Sequence, residues 1–342
     1  MVKLKIGLWA AGLAVASSCF LAGAAAPWQA PAALTPGPAT AAGLPPWAYP
    51  VAPAGADTTP TPGDSAMQHV AGSTAVYSAK QIADQFAVPD WFPDTHPAMP
   101  AVVAAGRKPA VMACGYCHLP NGLGRPENAN LAGLPVAYMT QQLSEFKDGS
   151  RHSSEPRMIS ATHMVQVAKA ATDAEMQAGV EYFASLSPSK WIRVVETDTL
   201  PKTRIVGGML VPVTPAATEP IGERVIEVPE DARQTELRNP KSGFVAYVPK
   251  GSVKLGEALV TTGGDGETLA CTICHGMDLK GMSTMNSPSL AGRSPSQVAR
   301  QLIDFQDGSS GGPGAALMMP VVMKLTNADI VNITAYLASL EP

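Results

Sequence analysis

The pentapeptide Cys-x-x-Cys-His occurs twice in this chain of 342 residues, as Cys114-Gly-Tyr-Cys117-His118 and as Cys271-Thr-Ile-Cys274-His275. This spacing is typical of c-type haem attachment, in which each cysteine sulfur bonds covalently to a haem vinyl group. The histidine that follows is then held under the iron as its proximal ligand. We therefore predict two covalently bound haem c groups, one on each motif. The predicted residues are Cys114, Cys117, Cys271 and Cys274 for attachment, with His118 and His275 as axial iron ligands.

Zinc is the alternative, because two Cys-x-x-Cys pairs can also build a four-sulfur site. Zinc ribbons usually place such pairs about 15–20 residues apart, whereas the first cysteines here lie 157 positions apart (271 − 114). Zinc also gives no reason for a histidine to follow both pairs. The pattern therefore favours haem.

The amino terminus has the features of an export signal. Lys3 and Lys5 precede an uncharged run from Ile6 to Ala26 that ends in small residues, which predicts a signal peptide over 1–26 and a periplasmic protein. The run is long enough to span a bilayer if it is not cleaved, so membrane association through a retained anchor stays open. The net charge of −4 gives no indication of a nucleic-acid partner.

Residues 27–77 are predicted to be a linker, because the stretch up to residue 63 is rich in proline, alanine and threonine. Such a composition predicts an extended tether without a core. Folded structure is expected from Ser78, with a short helix from Ala79 to Phe86.

An internal repeat defines the expected domains. Leu131-Ala-Gly133 recurs as Leu290-Ala-Gly292 at an offset of 159 (290 − 131), and Tyr182-Phe-Ala-Ser-Leu186 recurs as Tyr336-Leu-Ala-Ser-Leu340 at an offset of 154 (336 − 182). Two homologous haem domains explain both offsets if the second copy has a loop shorter by five residues (159 − 154). The predicted domains are 78–186 and 251–342.

Each copy is expected to end in an amphipathic helix that covers the haem. Thr172 with Glu175, and Thr326 with Asp329, have capping-box spacing. The apolar residues that follow have helical spacing, and they are Met176, Val180 and Phe183 in the first copy and Ile330, Ile333 and Leu337 in the second. A further helix is predicted from Val253 to Val260, with Ser252 as its cap.

The intervening residues 187–250 are predicted to form a β-prone connector. They contain four short runs bounded by proline and glycine that favour strands. These runs are Trp191 to Val195, Arg204 to Val206, Arg224 to Val228 and Phe244 to Val248. Bracing of the two haem domains and docking of a partner are both compatible with such a segment, and bracing is the simpler interpretation.

With these motifs, the chain resembles the class I cytochromes c, and in particular bacterial proteins that fuse two such domains. The resemblance covers roughly 95–186 and 252–340 and implies a mainly α fold of two tandem domains. In that family a Pro-x-Leu segment lets a proline carbonyl accept the outer proton of the proximal histidine. Pro288-Ser-Leu290 matches this pattern, whereas the first copy has Ala129-Asn-Leu131, which retains the carbonyl without the proline.

The sixth iron ligand is expected to be a methionine, as the resemblance implies. Met164 lies 8 residues before Thr172, and Met318 lies 8 residues before Thr326 (172 − 164 and 326 − 318). This shared register selects Met164 and Met318 from the 15 methionines. Met158, Met319 and His163 remain alternatives, since haem iron accepts either methionine or histidine.

Two iron sites closed by histidine and methionine favour a periplasmic electron carrier over an enzyme. Its partners would be redox proteins, with a dehydrogenase or a quinol-oxidising complex as donor and an oxidase or reductase as acceptor. The alternatives are a di-haem peroxidase, which needs a releasable iron position, and a cytochrome subunit of a membrane-bound dehydrogenase or oxidase. A thiosulfate-oxidising enzyme with a cysteine ligand is disfavoured, because beyond Cys19 in the signal every cysteine belongs to a haem motif.

Overall fold

A computed structural model describes residues 1, 43–52, 66–213 and 215–342. The predicted signal peptide beyond Met1, and 27–42 and 53–65 of the predicted linker, lie outside the described residues. The fold described below belongs to one compact unit that extends from Leu34 to Pro342.

The two copies of the repeat fold in the same way, each as five helices. The first copy consists of α2 Ala101–Ala104, α3 Cys114–His118, α4 Val136–Asp148, α5 Ile159–Ala170 and α6 Asp173–Ala184. The second consists of α8 Ser252–Thr262, α9 Thr272–His275, α10 Pro295–Gln306, α11 Pro313–Val322 and α12 Asn327–Ser339. The haem motifs form α3 and α9. The prediction of a mainly α, two-domain fold is confirmed.

Both predicted capping boxes are present. The Thr172 hydroxyl accepts from the Glu175 N–H while the Glu175 carboxylate accepts from the Thr172 N–H, at 3.2 and 2.8 Å. Thr326 and Asp329 make the same pair of bonds. Ile330, Ile333 and Leu337 are buried, as are Val180 and Phe183, whereas Met176 is half-buried. The local sequence therefore fixes where both final helices begin and which face they bury.

Ser252 does not cap the next helix, contrary to the prediction. It is the first helical residue of α8, and the N-cap is Gly251 at φ 85°, a left-handed conformation that glycine adopts at little cost. In the first turn of α8, the Val253 N–H donates to the Glu196 carboxylate at 3.0 Å. A carboxylate from a neighbouring strand thus takes the place of a local cap.

All four β-prone runs between the haem domains form strands. β3 Ile192–Thr197 pairs in parallel with β9 Phe244–Pro249, and β8 Ile226–Pro229 pairs with β9 in antiparallel orientation. The remaining strands form two antiparallel pairs, β5 Thr203–Val206 with β6 Met209–Pro212 and β4 Thr199–Pro201 with β7 Thr218–Pro220. A short helix, α7 Ala232–Glu236, lies between β8 and β9. Buried apolar residues of this segment and of both haem domains form one continuous core.

The N-terminal extension of the first domain forms a small second core. It contains the hairpin β1 Met67–Gln68 and β2 Tyr77–Ser78, followed by α1 Ala79–Ile82. Trp91 is buried there and donates its indole N–H to the Leu237 carbonyl at 2.8 Å. The helix is shorter than predicted, because the Asp84 carboxylate accepts from the Phe86 N–H and forms a turn.

The prediction of a tether without a core is wrong for the described part of the linker. Trp47, Ala48 and Tyr49 are buried in the main core. The Tyr49 hydroxyl donates to the Asp304 carboxylate at 2.8 Å, and Arg300 donates to the Ala48 carbonyl at 2.8 Å. The proline-rich composition does not predict this packing, because it is the two aromatic residues Trp47 and Tyr49 that supply the apolar surface.

The two haem domains meet at equivalent loops. Arg151 and Ser310, related by the repeat offset of 159 (310 − 151), form an antiparallel bridge. On either side of it, the His152 N–H donates to the Ser309 carbonyl at 2.9 Å, and the Gly311 N–H donates to the Ser150 carbonyl at 2.8 Å. Antiparallel pairing of equivalent residues indicates a local two-fold relationship between the copies.

Within the described residues, no single helix is long and apolar enough to cross a membrane. Only α11 and α12 counted together reach that length and composition, and a 113° bend separates them.

Candidate haem sites

The proximal histidines are held in the same way in both copies. Nδ1 of His118 lies 2.8 Å from the Ala129 carbonyl, and Nδ1 of His275 lies 2.8 Å from the Pro288 carbonyl. A carbonyl can only accept, so Nδ1 carries the proton and Nε2 is left with its lone pair for a metal. The predicted carbonyl contact is therefore present in the first copy despite the missing proline.

Both imidazoles are buried. Each residue is 7% exposed, and burial lowers the pKa of His118 and His275. A lowered pKa favours the unprotonated ring, which is the form that ligates iron.

The cysteines lie beside the histidines on the same short helices. Cys114, Cys117 and His118 line one cavity in the first domain. Burial raises the pKa of the free Cys114 thiol to about 12 and that of Cys271 to about 11, so both thiols are protonated at neutral pH until they are bonded. Two cysteines and a histidine at this spacing, in a mostly apolar cavity lining, fit a covalently attached haem.

The lining of the first cavity also includes both methionine candidates. Met164 lies within α5, and Met158 is the N-cap residue of the same helix. Both line the cavity together with His163, and Met158 is the more buried of the two methionines. The cavity therefore brings His118 and the candidate sixth ligands together, and Met164 remains a prediction on the strength of the shared register.

In the second domain, Met318 and Met319 lie side by side on α11, and both are half-buried. Met318 packs against the main core. Met318 therefore stays a prediction that rests on the register it shares with Met164.

Charged residues at the first cavity come from both domains, which the sequence patterns did not reveal. Arg300 and Asp304 of α10 line the cavity together with first-domain residues. Arg300 donates to the carbonyls of Ala48 and Pro126, and burial lowers its pKa while raising that of Asp304. The second domain therefore closes one side of the first haem site.

Arg293 is a second buried cation beside the haem segments. It is 5% exposed and donates to the carbonyls of Asn130 and Ser289 and to the Ser289 hydroxyl. It makes no ion pair with any carboxylate of the described residues. A buried guanidinium without a carboxylate suits a site that holds a ligand with acidic groups, such as the propionates of haem. Its position directly after Leu290-Ala-Gly292 was the sequence signal that could have revealed it.

Arg151 and Arg157 differ in their surroundings. Arg151 lines the first cavity, with its guanidinium 4.7 Å from the centre of the Phe146 ring. Arg157 is exposed and pairs with the Glu155 carboxylate at 2.6 Å. Of the two, only Arg151 is placed beside a haem site.

A family model described as Cytochrome c matches this chain twice, over residues 103–187 and 253–341. The chain belongs to the cytochrome c family. It is a di-haem class I cytochrome that carries two covalently bound haem c groups and transfers electrons between a donor and an acceptor.

Two relatives and one solved structure are identical to this cytochrome at about a quarter of the aligned positions. The thiosulfate dehydrogenase electron acceptor of Thiomonas intermedia (strain K12) is 27% identical over 244 residues, which cover 71% of this chain and 84% of the relative. Cytochrome c4 of Pseudomonas aeruginosa is 26% identical over 240 residues, covering 69% and 88%. The solved structure of reduced cytochrome c4 from Pseudomonas stutzeri is 23% identical with a TM-score of 0.44, over 66% of this chain and 93% of that chain.

Proposed function

We propose that this cytochrome is a dedicated periplasmic carrier that passes single electrons from a respiratory dehydrogenase or quinol-oxidising complex to a terminal oxidase or reductase. The observation that carries the proposal is the matched design of the two sites. Each has a buried neutral histidine held by a backbone carbonyl, with methionines on a helix of the same domain.

In this proposal each haem c would be bonded to its own motif. Cys114 and Cys117 would hold the first group, with His118 and Met164 as its iron ligands. Cys271 and Cys274 would hold the second, with His275 and Met318 as its iron ligands. Soft thioether ligands stabilise ferrous iron and raise its potential, so the groups supply reversible one-electron redox chemistry when bound. Occupation of both axial positions leaves no place for a substrate.

The location and the donor are supported by separate observations. The export signal predicted over 1–26 agrees with haem attachment outside the cytoplasm. The similarity to a thiosulfate dehydrogenase electron acceptor favours a dehydrogenase over a quinol-oxidising complex as the donor. A retained signal would tether the same carrier to the membrane, and fractionation of the native host would distinguish the two forms.

A rapid-mixing experiment tests the carrier role. The reduced holoprotein is mixed with an oxidised monohaem cytochrome and, separately, with hydrogen peroxide. A carrier gives up one electron per haem to the cytochrome and reacts only slowly with peroxide. Rapid, repeated turnover of peroxide by the half-reduced protein would instead identify a peroxidase.

A further inference from the structure

The surroundings of the two haem-attachment loops differ, although the loops themselves are copies of each other. Three positions in the second loop and one on α11 present large apolar side chains to solvent. They are Leu269, Ile273, Met277 and Leu317, with exposed fractions of 56%, 63%, 86% and 69%. Thr268 donates to the Val321 carbonyl at 2.6 Å, which holds this loop against α11 one turn from Leu317. We name these four residues the second-loop patch.

The equivalent positions in the first copy are covered. They are Met112, Tyr116 and Pro120, at the motif offset of 157 (271 − 114), and His163, at the final-helix offset of 154 (336 − 182), and all four are buried or half-buried. The difference therefore does not follow from the haem fold itself. It follows from what the rest of the chain places on each loop.

The cover on the first loop comes from the two segments added to the haem domains. The Arg238 guanidinium lies 3.5 Å from the centre of the Tyr116 ring and donates to the Tyr116 carbonyl at 2.6 Å. The Asn121 side chain donates to the Pro240 carbonyl at 2.6 Å. On the other side, the Tyr116 hydroxyl reaches the Ala83 carbonyl at 3.4 Å. The connector therefore covers the first haem-attachment loop by stacking the Arg238 guanidinium on the Tyr116 ring.

Acidic residues lie on either side of Leu269, Ile273 and Met277 in the chain, and we call them the acidic rim of the second-loop patch. Asp265, Glu267 and Asp278 are exposed and form no ion pair among the described residues. Lys280 is the one lysine or arginine in 265–282, and its ammonium group donates a hydrogen bond to the Pro342 carbonyl at 2.9 Å. An apolar centre with an unpaired acidic rim is complementary to a surface with an apolar centre and basic rim.

We propose that the second-loop patch is the docking surface for a redox protein with an apolar, lysine-rimmed contact face. The partner takes on the second loop the place that Arg238 and its neighbours take on the first. Electron exchange with other proteins therefore runs through the second domain, and the first domain exchanges electrons within the chain. This inference rests on the proposed carrier function and adds its docking site.

Binding of a lysine-rimmed monohaem cytochrome c, used as the probe, tests the proposal. Amide signals of the labelled holoprotein are followed during titration at low ionic strength. We expect shifted signals confined to 265–282 and 313–319. Ile273→Ser combined with Met277→Ser should weaken binding about tenfold, as expected for apolar side chains lost from an interface. Ile159→Ser is the matched control, since Ile159 is an equally exposed isoleucine (64%) outside the patch; its binding should change less than about twofold.

Three results would overturn the proposal. They are a footprint on the Arg238 face, equal binding by the patch variant and the control, or no binding of the probe by the wild-type protein. Self-association that is lost in the patch variant would show that a second copy of the chain occupies the patch instead. Reduction of the wild-type protein and both variants by a small inorganic reductant is measured in parallel. If this reduction is normal but the docking result is negative, the docking proposal fails while the proposed carrier function stands.

Discussion

Asn130 and Ser289 hold equivalent positions in the two haem domains, and both accept hydrogen bonds from the guanidinium of Arg293. Each directly follows the residue whose carbonyl contacts a proximal histidine, Ala129 in one domain and Pro288 in the other. One buried cation therefore ties together the two backbone segments that orient the iron ligands. The tie crosses the domain boundary and has no counterpart in the first copy, where Leu134 stands in place of Arg293 (293 − 159).

Arg293→Met is expected to lower the reduction potentials of both haems. A nearby positive charge favours the reduced iron, so its removal favours the oxidised form. We expect a decrease on the order of 50 mV, close to a tenfold change in the redox equilibrium, measured by potentiometric titration. Arg293→Lys should restore part of the difference.

Lys280→Met removes an exposed lysine of the same domain and serves as the control for charge alone. Unchanged potentials in Arg293→Met, or equal shifts in the Arg293→Met and Lys280→Met variants, would contradict a specific role for the buried guanidinium.

Met164→Ala is expected to remove one of the two ferric methionine-to-iron charge-transfer signals while both haems stay covalently attached. The reason is that the thioether bonds depend on the cysteines and not on the sixth ligand. Near-infrared spectroscopy measures the signal, and a pyridine haemochrome assay measures the haem content.

Met158→Ala is the matched variant, because Met158 lines the same cavity. It should keep both signals. Loss of the signal in Met158→Ala but not in Met164→Ala would assign the ligand to Met158.

Tyr49→Phe is expected to lower the free energy of unfolding by about 1–2 kcal/mol, because it removes a buried hydrogen bond to a carboxylate. The Tyr49 hydroxyl donates to Asp304 at 2.8 Å, which joins the N-terminal segment to α10. Urea unfolding followed by circular dichroism measures the change. Tyr247→Phe is the control, since the Tyr247 hydroxyl has no hydrogen bond among the described residues, and it should cost less than about 0.5 kcal/mol. Equal effects of the two substitutions would show that the Tyr49 contact contributes nothing specific.

Glu175→Gln is expected to make the free energy of unfolding fall less steeply as the pH is lowered. The Arg107 guanidinium and the Thr172 N–H hold the pKa of Glu175 at about 2, against an ordinary value of 4.5. Because the folded-state pKa is lowered, the stabilisation is complete above pH 4.5 and is lost as the pH falls toward 2. Urea midpoints of the wild-type and variant proteins should therefore converge across this interval.

Asp173→Asn, at the exposed neighbouring position, provides the comparison for a general change in charge. Curves for wild type and Glu175→Gln that stay parallel from pH 5 to pH 2 would contradict the assignment.

The parts of the fold that could be predicted from sequence depend on short-range patterns. The capping boxes at Thr172 and Thr326 need only four consecutive residues, and the histidine–carbonyl contacts lie within a loop of 11 or 13 residues. The strands of the connector were also visible as apolar runs between turn residues. In each case the interacting groups are close enough in the chain for spacing to determine the contact.

The features that sequence did not reveal depend on distant partners. Tyr49 contacts Asp304 across 255 positions, and Arg293 contacts Asn130 across 163. Arg238 lies in the connector, 122 positions from Tyr116. No local periodicity indicates such pairs, so composition alone predicts a tether for the linker and gives no sign of the cover on the first loop. Sequence spacing also does not decide between Met158 and Met164 as the sixth ligand, because both residues line the same cavity.

The most direct test of the carrier function is a near-infrared and visible spectrum of the holoprotein, oxidised and then reduced, with and without carbon monoxide. Two histidine–methionine sites predict a ferric methionine charge-transfer band with the intensity of two sites, and negligible binding of carbon monoxide to the reduced protein. A band with the intensity of one site, together with one haem that binds carbon monoxide, would contradict the account and indicate an enzyme.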